Sequence, residues 1–273
     1  MKTKHLRLMQ RVYIILFFCF MYLPIAYMIV FSFNQSKGYS LFTGFTFKWY
    51  RSLFTNASIL HALWVSVEVA ILSAIIATVL GTAASLGIAS MSRKSRLLVT
   101  NITYIPVVNP EIITGVSLML LYAMANIQLG YLTLLLSHIA FCVPYVVLSV
   151  MPKLRQIDPN LAEAAQDLGA TPMQGFFKVI LPDIMPGVFS GFVMALTMSI
   201  DDFVVSFFTT GSGVSNLSIT IYTMAKRGIS PKINALSTII FACVFVLLIG
   251  LNLRDFRKDG RSQKKLDGVK IPY

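Results

Sequence analysis

The chain has 273 residues, 56% of them hydrophobic and 12% charged, with a mean hydropathy of +0.74. Those values exclude an ordinary soluble domain and match a polytopic membrane protein. A net charge of +12 raises nucleic-acid binding, but the basic residues lie in short segments between apolar runs and form no basic-aromatic recognition surface, so membrane topology accounts for them.

Lys2, Lys4, Arg7 and Arg11 precede an uncharged run from Val12 to Phe33, long enough to cross a hydrocarbon core about 30 Å thick. The run is too long for the apolar part of a signal peptide and ends in Ser32-Phe33-Asn34-Gln35 rather than a small-residue cleavage site. Residues 1–33 are therefore read as a tail and a retained first helix, bent at Pro24. Residues 34–61 form a polar periplasmic connector with Lys37, Lys48 and Arg51. Its run Phe45-Thr46-Phe47-Lys48-Trp49-Tyr50 predicts a helix lying at the headgroup level.

The five-helix core is placed at 62–253. Its first span, the second of the chain, runs from about Ala62 to Ser90, contains Glu68, and carries Gly81, Ala83, Ala84, Ser85 and Gly87, small residues that allow close helix packing. Arg93, Lys94 and Arg96 follow. The third span starts near Leu97, is interrupted by Pro106, Asn109 and Pro110 before Glu111, and continues to about Met124. A turn over Ala125–Gly130 leads to the fourth span, Tyr131 to Met151, with His138 in its first half and Pro144 in its middle.

A polar island, residues 153–182, separates the fourth and fifth spans. Asp158 is placed to cap a helix of about ten residues with Pro159 in its first turn, and Gly169 to end it. Thr171-Pro172-Met173-Gln174 has the capping-box pattern of a second start. Two short helices at a glycine turn are expected. The fifth span runs from about Ile184 to Phe208 and holds Asp201-Asp202. A connector rich in Gly, Ser and Thr carries Lys226, Arg227 and Lys232, and the sixth span covers about Asn234 to Leu253. Residues 254–273 form a basic tail.

With the N-terminus inside, 17 of the 23 Lys and Arg residues fall on the cytoplasmic side and six in the outer connectors. The positive-inside rule then puts both ends and the 153–182 loop in the cytoplasm. Cys19, Cys142 and Cys243 each fall in an apolar span, so neither a disulfide framework nor a metal site follows. The chain has no phosphate-binding Gly-x-x-x-x-Gly-Lys-Ser/Thr loop, nucleophile-base arrangement or zinc motif. Enzyme chemistry and cofactors are not predicted.

Four of the eleven acidic residues, Glu68, Glu111, Asp201 and Asp202, fall within predicted spans, where no Lys or Arg does. A carboxylate at mid-membrane costs about 2.5–3.5 kcal/mol on insertion scales, so several of them imply partners, protonation or a function. At 1.5 Å per residue, Glu68 comes out about 10 Å below the outer face, and Glu111 and Asp201 about 21 and 26 Å above the inner one. These four are the candidate substrate-pathway residues, for a cationic ligand or for a second subunit supplying the countercharge. Glu111 has an alternative reading, satisfying backbone freed by the Asn109-Pro110 break. Asp201 and Asp202 lie about 100° apart on a helix, so one at most points straight into a pore. Glu68 is read as a helix-helix contact, and His138 as a neutral hydrogen-bonding residue or a partner of Glu68 or Glu111.

The run Glu163-Ala164-Ala165, three residues, Gly169, nine residues, then Val179-Ile180-Leu181-Pro182 resembles the coupling loop of bacterial ABC-importer permeases. Val179 stands where that family usually has Ile. The resemblance implies that Glu163, Ala164, Ala165, Gly169, Leu181 and Pro182 meet a separate ATPase. Ser32-Phe33-Asn34, Phe47-Lys48-Trp49-Tyr50, Ser137-His138-Ile139 with Phe141-Cys142 and Pro144, Ser199-Ile200-Asp201-Asp202, and Ser230-Pro231 with Asn234-Ala235-Leu236 extend it. Together they are similar to the PotC-type permeases of spermidine/putrescine importers, over nearly the whole chain.

That resemblance implies a six-helix, all-α inner-membrane permease. It would pair with a PotB-type permease, two cytoplasmic ATPase subunits and a periplasmic polyamine-binding protein. Importers of another solute, such as iron, sulfate or an amino acid, and an ion channel acting alone are the alternatives.

Overall fold

The structure, a computed structural model, describes residues 2–38, 41–158, 160–228, 231–243, 245 and 246. Pro159, Ser230, the later part of the expected sixth span and the tail from Arg254 lie outside the described residues. The described chain is helical, and it divides into two compact units, 1–57 with 223–273 and 58–222.

In the first unit, α1 (Lys2–Phe31) runs through Pro24, and none of its most apolar stretch is buried within the chain. A helix apolar on every side and covered on none has lipid or another subunit as its solvent. Beyond it, Ser32-Phe33-Asn34 and Phe47-Lys48-Trp49-Tyr50, separate in sequence, close on one another. The Ser32 and Tyr50 hydroxyls are 2.6 Å apart, Trp49 Nε1 donates to the Asn34 carbonyl at 2.7 Å, and Phe33 stacks on Tyr50 with ring centres 5.0 Å apart. The Asn34 side chain organises the intervening turn, donating to the Leu41 carbonyl and accepting from the Thr43 N–H. The expected connector helix is α2 (Lys48–Phe54). A last apolar helix, α12 (Pro231–Cys243), covers the described part of the sixth span.

The second unit is built on α3 (Ala57–Ser90), α6 (Tyr131–Leu154) and α9 (Leu181–Asp201). Ala70, Ala74, Ala77, Gly81 and Ser85 recur at helical spacing on α3 and are fully or nearly fully buried, whereas Ala83 and Gly87 face outward. A Cβ added to Gly81 would lie 2.6 Å from Val146 Cβ. Only a bare backbone lets the helices approach so closely. On α9 a second small-residue seam, Gly187, Gly191 and Ala195, receives α6, and a Cβ on Gly191 would lie 3.2 Å from Val146 Cα. Val146 and Val150 are thus enclosed from two sides, with Ala74, Ala77, Cys142, Ile184 and Ala195 completing the core.

The expected interruption of the third span is found at Asn109-Pro110, sharper than a kink, and two further elements depart from the sequence reading. The third span is two helices, α4 (Arg93–Val108) and α5 (Glu111–Met124), bent 103° apart. Pro110 lacks an N–H and restrains Asn109 to an extended backbone (φ −73°, ψ 137°), so the helical ladder stops there. A depth for Glu111 counted along one straight helix from Leu97 therefore does not hold. The fifth span is broken too. α9 ends at Asp201, Asp202 is extended (φ −64°, ψ 127°), and a separate α10 (Val204–Thr209) follows. The Gly/Ser/Thr connector also contains a helix, α11 (Leu217–Lys226).

The polar island folds as α7 (Leu161–Asp167), a turn at Gly169 with φ +84°, and α8 (Pro172–Gly175). α7 is shorter than the expected ten residues because Asp158 makes a local turn, accepting the Asn160 N–H at 2.9 Å. The capping box forms as expected: Gln174 N donates to Thr171 Oγ1 and Thr171 N to Gln174 Oε1. The second helix forms but is not separate. α8 continues through a π-wide turn, Phe176–Ile180, into α9. Pro182 cannot donate to the carbonyl four residues back, and widening the preceding turn relieves its ring against that carbonyl.

Candidate functional site

The break after α9 is where the buried polar groups of the second unit converge. Asp202 turns its carboxylate onto the start of α10, accepting the Val205 N–H at 3.1 Å and the Ser206 N–H at 2.7 Å. An Asp at that place satisfies donors the helix leaves unpaired and complements their partial positive charge. The Ser206 hydroxyl donates to Asp202 Oδ2 at 2.7 Å and accepts from Asn216 Nδ2 at 2.7 Å. The Asn216 carbonyl oxygen accepts the Ile219 N–H at the start of α11.

His138 enters this cluster from α6 and is 1% exposed. Its Nε2 lies 2.9 Å from Ser206 Oγ and 3.5 Å from Asp202 Oδ2, and its Nδ1 lies 2.6 Å from Ser199 Oγ on the last turns of α9. Ser73 of α3 donates to Ser199 at 3.0 Å. Counting protons assigns the tautomer. Ser206 spends its single proton on Asp202 and accepts from Asn216, so its remaining lone pair takes a proton from Nε2. In a neutral imidazole Nδ1 is then the acceptor of the Ser199 hydroxyl. His138 is hydrogen-bonded as expected, but its partners are Ser199, Ser206 and Asp202 rather than Glu68 or Glu111.

In front of this cluster lies a narrow cleft of about 20 Å³, lined by Pro106, Glu111, Thr114, Phe141, Tyr145, Met198, Asp202 and Val205. Two of the four span carboxylates, Glu111 and Asp202, meet there. Glu111 is exposed at the start of α5 and Asp202 is 7% exposed, because its oxygens are turned inward to cap α10. Asp201, the last residue of α9, is exposed and does not line the cleft, and half-buried Glu68 lies on α3 beside Tyr131. The aromatic and carboxylate groups of its lining are of the kinds that meet alkyl segments and positive charge. Among the described residues no group of His, Cys, Asp or Glu is arranged to hold a metal ion.

Sequence reasoning marked Ser199 only as part of a family motif and missed Ser73, Ser206 and Asn216, since each of these alone is an unremarked polar residue. An Asp followed four residues on by Ser inside an apolar run is the signal that marks a capped helix start there.

At the elbow, Glu163 and Ala164 are exposed and Ala165 is buried. A Cβ on Gly175 would sit 3.8 Å from Ala165 Cβ, so α7 and α8 close against each other through two small residues. Leu181 packs on the core of the second unit and Pro182 is exposed. Leu168 next to the turn is 90% exposed and Met173 68%.

Several helices are long and apolar enough to cross a membrane, and two of the apolar runs are broken beside the polar cluster. Residues 77–255 match the family described as binding-protein-dependent transport system inner membrane component, and the chain belongs to that family. It is 38% identical over 247 residues to the spermidine/putrescine transport system permease protein PotC of Escherichia coli (strain K12), covering 90% of this chain and 94% of that protein. It is 36% identical over 244 residues to the putrescine transport system permease protein PotI of the same strain, covering 86% of each. Among solved structures, a bacterial ABC transporter involved in the import of the acidic polysaccharide alginate superposes with a TM-score of 0.70 at 20% identity, covering 94% of this chain and 96% of that one. That likeness speaks for the fold alone.

Proposed function

We propose that the chain is one of two permease subunits of an ABC importer for polyamines, spermidine or putrescine, in a bacterial inner membrane. Likeness over nearly the full length to PotC and PotI, two polyamine permeases, carries this reading. The lining of the narrow cleft supports it: exposed Glu111 is available to an ammonium group of a flexible polyamine, and Phe141, Tyr145 and Met198 are apolar surface beside it for methylenes. Asp202 backs that wall, Asp201 extends the acidic character toward the exposed end of α9, and Glu68 serves as a contact between α3 and α6.

In this reading the chain crosses the membrane six times with both ends and residues 153–182 in the cytoplasm, α4 and α5 forming one bent crossing. The elbow of α7 and α8 seats in a separate ATPase, of which the importer holds two copies. Glu163 offers an acceptor, Ala164 and Ala165 keep the contact face low, Gly169 makes the turn, and Leu181 and Pro182 join the elbow to α9. Closure of the ATPases then moves α9 as a rigid body. A PotB-type permease supplies the other half of the pathway, and a periplasmic polyamine-binding protein delivers the cargo.

The test is uptake of labelled spermidine and putrescine by cells that lack their own polyamine importers and carry this chain with its cognate subunits. Uptake that competes with neither iron, sulfate nor amino acids is expected, and Glu111→Gln lowers it about tenfold through loss of one charge-assisted contact. ATP-independent flux through liposomes holding this chain alone would instead establish a channel.

A further inference from the structure

We propose that His138 is a positioning residue that braces the break between α9 and α10 and thereby sets the cleft wall opposite Glu111. The helical ladder stops at extended Asp202, so the backbone by itself does not fix α10 on α9. His138 spans the gap from a third helix, one ring nitrogen on Ser199 before the break and the other on Ser206 after it. A second tie from α6, Thr133 Oγ1 donating to the Thr209 carbonyl at 2.7 Å, holds the far end of α10.

α10 in turn seats α5. A Cβ on Gly115 would lie 3.0 Å from Phe208 Cδ2 and 3.3 Å from Val205 Cα, so the two backbones touch one helical turn beyond Glu111. The chain of contact therefore runs from the imidazole through Ser206 and Val205 to Gly115 and the helix bearing Glu111. The brace is polar at both ends: Ser206, its own proton spent on Asp202, takes a donor, and Ser199 takes a hydrogen-bonding partner 2.6 Å away. Apolar packing needs neither.

The placement of Glu111 at a polyamine site rests on the proposed function, and two readouts separate the claims. The first is uptake per inserted importer for His138→Gln, which keeps a donor toward Ser206, His138→Asn, which keeps a partner toward Ser199, and His138→Leu, which fills the space and keeps neither. We expect about fivefold loss for Gln and Asn and about fiftyfold for Leu, with Leu non-additive on Ser206→Ala. A histidine serving only as filler gives the opposite order, with Leu tolerated best, and that order overturns the brace.

The second readout needs no cargo. The double variant Thr114→Cys and Val205→Cys is oxidised in native membranes, and its cross-linking rate falls about fivefold when His138→Leu is added, at matched abundance. An unchanged rate overturns the brace even if polyamine uptake is confirmed. Absence of polyamine uptake in the unmodified importer overturns the cargo and leaves the cross-linking result to decide the brace.

Discussion

The two polar regions of the second unit are built on opposite principles. The elbow of α7 and α8 spends its polar groups locally: Asp158 on Asn160, Thr171 on Gln174, with Glu163 and Leu168 left exposed. The brace at the α9–α10 break spends its groups across four helices, with Ser73, His138, Ser199, Asp202 and Ser206 all buried. Local satisfaction leaves an elbow that keeps its shape while its outer face stays exposed. Dispersed satisfaction instead makes a junction that is costly to open, because each group it frees is left unpaired away from water.

The comparison predicts that variants of the two regions fail differently. Gly169→Val is the largest expected effect: φ +84° is a region that β-branched residues avoid, so uptake is abolished while membrane abundance, measured by immunoblot, is unchanged. Gly81→Val, in the seam beneath the brace, does the reverse. Its side chain collides with Val146, an overpacking cost of about 1–3 kcal/mol, and the abundance of folded protein falls in step with uptake.

Smaller effects sharpen the contrast. Asp202→Ala frees two N–H groups of α10 and the Ser206 hydroxyl, lowering thermal stability in detergent by about 2 kcal/mol, while Asp202→Asn, which keeps an acceptor, loses about half of that. Thr171→Ala opens only the exposed capping box, costing about 1 kcal/mol of local helix stability. A small drop in uptake with no change in melting temperature is the expected outcome. If Thr171→Ala lowered the melting temperature as far as Asp202→Ala, the distinction between local and dispersed satisfaction would fail.

How much was legible in the sequence follows the same division. The apolar runs of α1, α3 and α6, the glycine turn and the capping box were readable, because each depends on residues within a few positions of one another. The small-residue seam on α3 was readable as a property of the helix, though not which of its members face the partner: Gly81 and Ser85 are inside while Ala83 and Gly87 are outside. The break at Asp202 was not readable, since Ile184 to Phe208 looks like one span by hydropathy. The carboxylate that seemed exceptional within it is a helix cap.

By itself, then, the sequence determined an all-helical membrane protein, its polar elbow and its family, because hydropathy, turn chemistry and motif spacing are written along the chain. Only the tertiary structure decided that Glu111 and Asp202 share a cleft while Asp201 and Glu68 stand apart from it. It alone decided that His138 pairs with Ser199, Ser206 and Asp202. Those pairings join residues 61 to 68 positions apart, and they exist because small residues on α3 and α9 let the helices come close enough for short hydroxyl side chains to meet.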